Sequence, residues 1–479
     1  TKVSRSWKAD LGYNTKKADW NRFGCFVERN FSDEIINLLS TLPADKTVSV
    51  FNKKLDDCCK NSIPRRRMYE KTVPWWNLQL TNMREKVMAA KKQLIRARRL
   101  HLDNIINEYA SEYKKLRNEY VSQIRKQKKE TWQKFVEIAG NKNPWGIVHK
   151  IVNDKIGKPT IWTELKLSDG RRTTNLNGTI EALLNKCVPT GDTIESSECR
   201  AVRQNLKEYM NRNLEPLISF SEIKMAICKF KNKKAPGMDN FKIEIVKELW
   251  KKKPDAIYGL MNNCFSQGLF PRKWKEANLK IILKDENRDR ALLNSCRPIA
   301  LLSVVGKTYE RIVANRIQLV YKEAGLESPD QFGFRKGKGV DDAFIRLRRA
   351  IKFNDQKYTI TIFIDIEGAF DNLWWPAILS RLTKANCSSH MLNVIKSYFT
   401  DRKTIVQNKM KKYVRKMKKG CPQGSIIGPA AWVWCMDTLL NELRENFTPE
   451  CAKFIAYTDD LACVVKEKQD SNYIPTPKK

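Results

Sequence analysis

Two periodicities divide this chain of 479 residues. Between residues 76 and 140 apolar positions recur at intervals of three and four, as at Leu94, Leu102, Ile105, Tyr109, Tyr113, Leu116 and Tyr120. The stretch contains no proline and its glycine comes only at Gly140, so the spacing predicts two or more long helices. Two later stretches change to strand periodicity. YTITIFIDI (358–366) alternates and then becomes wholly apolar, which predicts a central, buried strand delivering Asp365 at its end. FIAYTDDLACVV (454–465) reads as strand, tight turn, strand, with Asp459 and Asp460 at the turn. Local signals fill in the rest. Asn30-Phe31-Ser32-Asp33 predicts a helix start, LKLSDGRRTTN a hairpin around Asp169-Gly170, and the segment after Glu215-Pro216 a helix, a basic turn and a second helix. Lys233 and Lys234 stand at the lip of that turn. Residues 1–75 carry scattered aromatics and a basic block at 64–67 and yield no clear pattern. The expected divisions are 1–75, 76–215 and 216–479.

Charge turns these elements towards a class of partner. Lys and Arg number 90 against 53 Asp and Glu, a formal +37. Such an excess implies a polyanion, with an anionic membrane surface as the competing reading. The basic residues run through many segments rather than one amphipathic helix, which favours nucleic acid. The predicted helices at 76–140 concentrate them; Arg96, Arg98 and Arg99 are candidate phosphate contacts, with a solvated helix face as the alternative. The longest apolar run, AAWVWCM at 430–436, is too short to span a bilayer, and the first residues, TKVSRSWKAD, lack the apolar core of a secretory signal. Thirteen cysteines without a C-x-x-C pair, and only three histidines, argue against zinc and for reduced thiols in an intracellular protein.

The acids supply the candidate chemistry. Asp459-Asp460 alone is an ordinary turn dipeptide, and Asp365 alone an ordinary helix N-cap. Three carboxylates at the exposed ends of apolar strands can instead converge and hold divalent cations. Left uncompensated, they would repel and raise one another's pKa. Two Mg²⁺ ions, or Mn²⁺ in their place, would remove that penalty, and a pair of such ions suits transfer of a nucleotide to a 3′-hydroxyl. Between the acids lies GCPQGSIIGP (420–429), whose glycines and prolines mark a backbone passing close to something.

In this order, FIDIEGAFDN, GCPQGSIIGP and YTDD resemble motifs A, B and C of a reverse transcriptase palm. SCRPIALLSVVGKTYERIVANRI (295–317) and DQFGFRKGKGVDDAF (330–344) resemble fingers motifs of the same family. GAFDNLWWPAIL, QFGFRKGKGVDDA, KAPGMD and PWWNLQL are most similar to non-LTR (LINE-type, R1/Jockey-like) retrotransposon polymerases. The resemblance implies an α+β fold of right-hand fingers and palm, a small antiparallel sheet with packed helices, over 216–479. A basic helical extension at 76–215 would precede it, and 1–75 would be the tail of an upstream region. It implies Asp365, Asp459 and Asp460 as catalytic metal ligands and Phe370 as an aromatic gate against a ribose 2′-hydroxyl. Gln423 and Gly424 would lie near the templating pair, and Arg297 and Lys284 would hold the triphosphate. RNA template, DNA primer and dNTPs would be the partners, in the nucleus, with the oligomeric state open. Thr458 stands where this group commonly has Ala. The NYIPTPKK ending leads to the expectation of a missing thumb, and the residues before 76 to that of a missing endonuclease, so that the chain reads as a fragment. The implied function is RNA-directed DNA polymerisation; an inactive RNA-binding remnant of a transposon is the alternative. An RNA-dependent RNA polymerase is disfavoured by the aromatic at 370.

Overall fold

The computed structural model describes residues 12–65, 75–100, 103–142, 165–189, 197–285, 289, 291–352, 359–407, 412–449 and 451–466, without 168, 212 and 214. The basic block beyond Arg65 and the NYIPTPKK tail lie outside these residues. The described chain divides into two units, residues 75–142 in one and residues 12–65 and 165–466 in the other.

The first unit is a pair of helices, Leu78–Arg99 and Asp103–Lys142, packed along one another. Asn77 starts the first by accepting a hydrogen bond from the Leu80 amide at 2.9 Å. Leu80, Ala90, Leu94 and Ala97 form its buried side. Arg96, Arg98 and Arg99 stand on the exposed remainder.

The second unit has an α+β architecture. Residues 12–65 supply three helices, Trp20–Asn30, Asp33–Thr41 and Ala44–Ser62, whose Phe23, Phe51 and Leu55 belong to the same core cluster as Leu260, Tyr309, Trp434 and Phe454. Ser32 is the N-cap of the second helix, where the sequence expects a start. The pattern before 76 is hard to read because the first two of these helices are short and bury few residues, Phe23, Gly24 and Val27 in one and Leu39 in the other. The expected hairpin at 165–173 forms around Asp169-Gly170 through a Lys166–Arg172 bridge. The helix, turn, helix after residue 216 is Phe220–Cys228, closed by a Ser219/Glu222 capping box, then Ile243–Lys252.

Seven strands form two sheets. β1 (Glu276–Leu283), β2 (Cys296–Leu301), β4 (Lys403–Gln407) and β5 (Lys412–Lys416) make one, in the order β2-β1-β4-β5, with only β1 and β4 parallel. β3 (Thr359–Asp365), β6 (Ala452–Tyr457) and β7 (Asp460–Lys466) make an antiparallel sheet in the order β3-β7-β6. The expectation of a central, buried strand at 358–366 is overturned. β3 is the edge strand, and Ile360, Ile362, Phe363 and Ile364 are 46–71% exposed. β7 takes the central place, with Leu461 and Val464 buried. The helices Val340–Lys352 and Ile427–Asn446 pack on β6 and β7 rather than on β3, so its apolar residues, which point to both faces, go largely uncovered. All thirteen cysteines are free thiols. Among the described residues no helix is long and apolar enough to cross a membrane.

Candidate active site

The antiparallel register brings the acids together. Asp365, the last residue of β3, is paired with Asp460, the first of β7, which is itself opposite Tyr457. Directly opposed residues share a face, with Cβ atoms about 5 Å apart. Asp459 occupies the two-residue turn between β6 and β7. Partial burial raises the Asp460 carboxyl above the usual carboxylate range, and the charges of Asp459 and Asp365 push the same way. Asp365 and Asp460 are exposed and Asp459 half-buried. Carboxylate oxygens without histidine or cysteine beside them are hard donors, suited to Mg²⁺ or Mn²⁺. Among the described residues, no three His, Cys, Asp or Glu side chains are drawn tightly enough to enclose an ion. The donor chemistry therefore fits a hard cation, and closure around one would require the side chains to rotate.

The turn is held from below by the start of the 330–344 motif and by Trp432, contacts that the sequence did not foretell. Asp330–Phe332 runs beside the outer edge of β6, with the Ala456 amide donating to the Asp330 carbonyl and the Phe332 amide to the Ala456 carbonyl, both at 2.8 Å. Gln331 is fully buried. Its Oε1 accepts from the amides of Gly333 at 2.8 Å and Thr458 at 3.2 Å. Trp432 Nε1 donates to the Thr458 carbonyl at 2.8 Å. Gly333 lies so close that a Cβ there would sit 2.3 Å from the Thr458 nitrogen. Thr458 itself has φ +60° and donates its hydroxyl to Asp459 Oδ1 at 2.6 Å.

The loop at 420–428 is tied to two other segments. The Gly420 and Cys421 amides donate to the carbonyls of Leu373 and Phe370 at 2.8 and 2.7 Å, and the Ala300 amide donates to the Gln423 carbonyl at 2.8 Å. Gly420 has φ +79°, and a Cβ there would meet the Asp371 carbonyl oxygen at 2.5 Å. Gly424 has φ +122° and would meet the Ala300 oxygen at 2.7 Å. Phe370 is half-buried, its ring 6.2 Å from Phe334 and 6.3 Å from Trp432. On the β1–β2 ladder Arg297 pairs with Ile282, and the Lys284 amide donates to the Ser295 carbonyl. Period-two alternation puts both cations on one exposed face. Lys284 is also close enough to Asp371 to favour that carboxylate's charge.

Asp371 and Glu310 lie within motifs the sequence marks, but neither is assigned a role there. Gln423 Nε2 donates to both Asp371 oxygens, at 3.3 and 3.4 Å. Burial pushes the Asp371 carboxyl up to about 6, against the pull of Gln423, Lys186 and Lys284. Glu310, wholly buried, accepts from the Ile426 amide at 2.7 Å, at the start of the helix Ile427–Asn446. Burial raises its carboxyl too, opposed by Arg402. Lys233 and Lys234 are exposed on their turn, and Arg96, Arg98 and Arg99 are exposed on the helix pair of the other unit.

A family model described as reverse transcriptase (RNA-dependent DNA polymerase) matches residues 282–475. The chain is 32% identical, over 82% of its length and 37% of the relative's, to the retrovirus-related Pol polyprotein from type-1 retrotransposable element R1 of Bradysia coprophila. It is 29% identical to a putative 115 kDa protein in type-1 retrotransposable element R1DM of Drosophila melanogaster, over 93% of this chain and 42% of that one. It is 26% identical to the RNA-directed DNA polymerase from mobile element jockey of the same fly, over 94% and 49%. The chain spans less than half the length of these relatives.

Proposed function

This chain belongs to the reverse transcriptases of non-LTR retrotransposons, and on that premise we propose that it polymerises DNA on an RNA template from a primer 3′-hydroxyl. The observation that carries the reading is the pairing of Asp365 with Asp460 beside the Asp459 turn. In this reading the β3-β7-β6 sheet and its helices are the palm, and the β1–β2 ladder belongs to the fingers. Asp365, Asp459 and Asp460 are the residues that would hold two Mg²⁺ ions. When bound, those ions supply charge stabilisation to the attacking and leaving oxygens. The chain's own residues do the rest. Arg297 and Lys284 offer cations to a triphosphate from one sheet face. Phe370, backed by Trp432, sets a ring against the sugar and would clash with a 2′-hydroxyl. Gln423 and Gly424 form a floor with no bulk at 424. The basic helices of residues 75–142, together with Lys233 and Lys234, offer phosphate contacts.

The test is primer extension on poly(A)/oligo(dT) with Mg²⁺. Asp365→Asn should reduce incorporation by at least about a thousandfold, the scale on which active-site electrostatics act, while RNA binding stays within about twofold. Undiminished extension by that variant would sink the assignment. The charge excess by itself supports a second reading, in which this chain binds template without extending a primer. Salt-sensitive RNA binding with no synthesis by the unsubstituted chain would select it.

A further inference from the structure

The Asp371–Gln423 pair has a chemical consequence for how the nucleotide pocket reads its ligand. Asp371 follows the half-buried Phe370, and its carboxyl is largely buried. The side-chain partner shown for it is Gln423, which donates Nε2 to both oxygens at 3.3 and 3.4 Å. An ionised carboxylate only accepts hydrogen bonds. It therefore dictates which way round the amide sits: nitrogen towards Asp371, Oε1 away from it. The backbone around the pair is too tightly laced to turn instead. Cys421 and Gly420 donate to the Phe370 and Leu373 carbonyls, Ala300 donates to Gln423, and Gly420 touches the Asp371 carbonyl without room for a Cβ. The pair thus joins the segment that follows Asp365 to the loop that abuts β2, where Arg297 lies three residues before Ala300.

We propose that Asp371 is a positioning residue that locks the Gln423 amide so that its Oε1 faces the pocket as an acceptor, selecting a ligand that presents a hydrogen-bond donor there. This rests on the polymerase reading and deepens it. The donor is either the 3′-hydroxyl of the incoming nucleotide or an N–H of the nascent base pair. Without Asp371 the side chain is held in neither its rotamer nor its sense, so Oε1 faces the pocket only about a tenth of the time.

The experiment measures dNTP affinity in a dead-end complex, in which the full chain is loaded on an RNA template with a dideoxy-terminated DNA primer. Complex surviving a heparin challenge is titrated with the next correct dNTP, alongside KM and kcat for extension of an ordinary primer. Asp371→Ala should weaken dNTP binding and raise KM by about tenfold, the scale of one well-placed hydrogen bond, with kcat changed by less than about threefold. Asp371→Asn, whose amide can donate to Gln423 as well as accept from it, restores contact without fixing the sense and should recover affinity only in part, to between about threefold and tenfold below the unsubstituted chain. Adding Asp371→Ala to Gln423→Ala should cost nothing beyond Gln423→Ala alone, because the first acts through the second. Repeating the titration with the matching ddNTP separates the sources: the Asp371→Ala penalty vanishes if the donor is the 3′-hydroxyl and persists if it is on the base pair. Additive losses in the double variant, or equal dNTP affinity in Asp371→Ala and the unsubstituted chain, overturn the inference. An unsubstituted chain that binds dNTP with the expected Asp371 dependence yet does not extend supports the inference while counting against the polymerase reading. A chain forming no nucleotide-dependent complex overturns both.

Discussion

Asp371 illustrates at the residue scale how a site and a fold pull in different directions. Burial raises its carboxyl from 3.8 to about 6, so the folded state binds the proton more tightly than the unfolded chain does. The sign follows: the resulting stability is present at low pH and is lost as pH rises between about 4 and about 6. Asp371→Asn removes that loss. Urea unfolding should find the variant more stable relative to the unsubstituted chain at pH 7.5 than at pH 4, by about 2 kcal/mol. Thr458 is a second such residue. A β-branched side chain at φ +60° is strained, and its hydroxyl occupies an oxygen of Asp459. Thr458→Gly should raise the unfolding free energy by about 1 kcal/mol, read from the urea midpoint. Thr458 in place of the commoner Ala is thus more than a change of size, since the hydroxyl engages one of the three acids.

The unit that positions the chemistry at the scale of elements is a turn clamped from two sides. The β6–β7 hairpin supplies Asp459 and Asp460; the 330–333 segment and Trp432 determine where the turn stands. Gly333 has no side chain because the Thr458 backbone occupies that space. Gly333→Ala should therefore displace the turn and lower primer extension by about a hundredfold, the usual cost of misplacing a catalytic group by an ångström. RNA binding, measured by anisotropy on the same preparation, should stay within about twofold. The hairpin and both helices flanking the basic turn were legible in the sequence, since turn chemistry, capping residues and period are local. The edge position of β3 was not. Apolar residues on both faces state that a strand can be covered twice, and only the packing of neighbouring helices on β6 and β7 shows which strand is.

Charge is the property that belongs to the whole molecule. The +37 is spread over both units, and in the helix pair it leaves Arg96, Arg98 and Arg99 exposed. Replacing the three with Ala should weaken RNA binding while leaving Asp365, Asp459 and Asp460 in place. The slope of log K against log salt concentration should become shallower by about 2, as fewer counterions are released from the strand. An unchanged slope would mean that these arginines are solvated and not bound to phosphate. The same view accounts for residues 12–65, which looked like a tail in the sequence and whose aromatics fill the core shared with the strands of the acids.

The sequence alone determined the acids, their places at strand ends and turn, the Gly-rich loop between them and the basic character of the long helices. These are properties of contiguous residues, and backbone preference and periodicity express them within a dozen positions. Tertiary structure alone decided the contacts that make those pieces a site: Gln423 on Asp371 across 52 residues, Glu310 on the Ile426 amide across 116, and Gln331 beneath Thr458 across 127. Such pairs leave no period in the chain, because whether two side chains meet depends on how whole helices and sheets pack, and that is the sum of many weak contacts rather than the preference of any one segment.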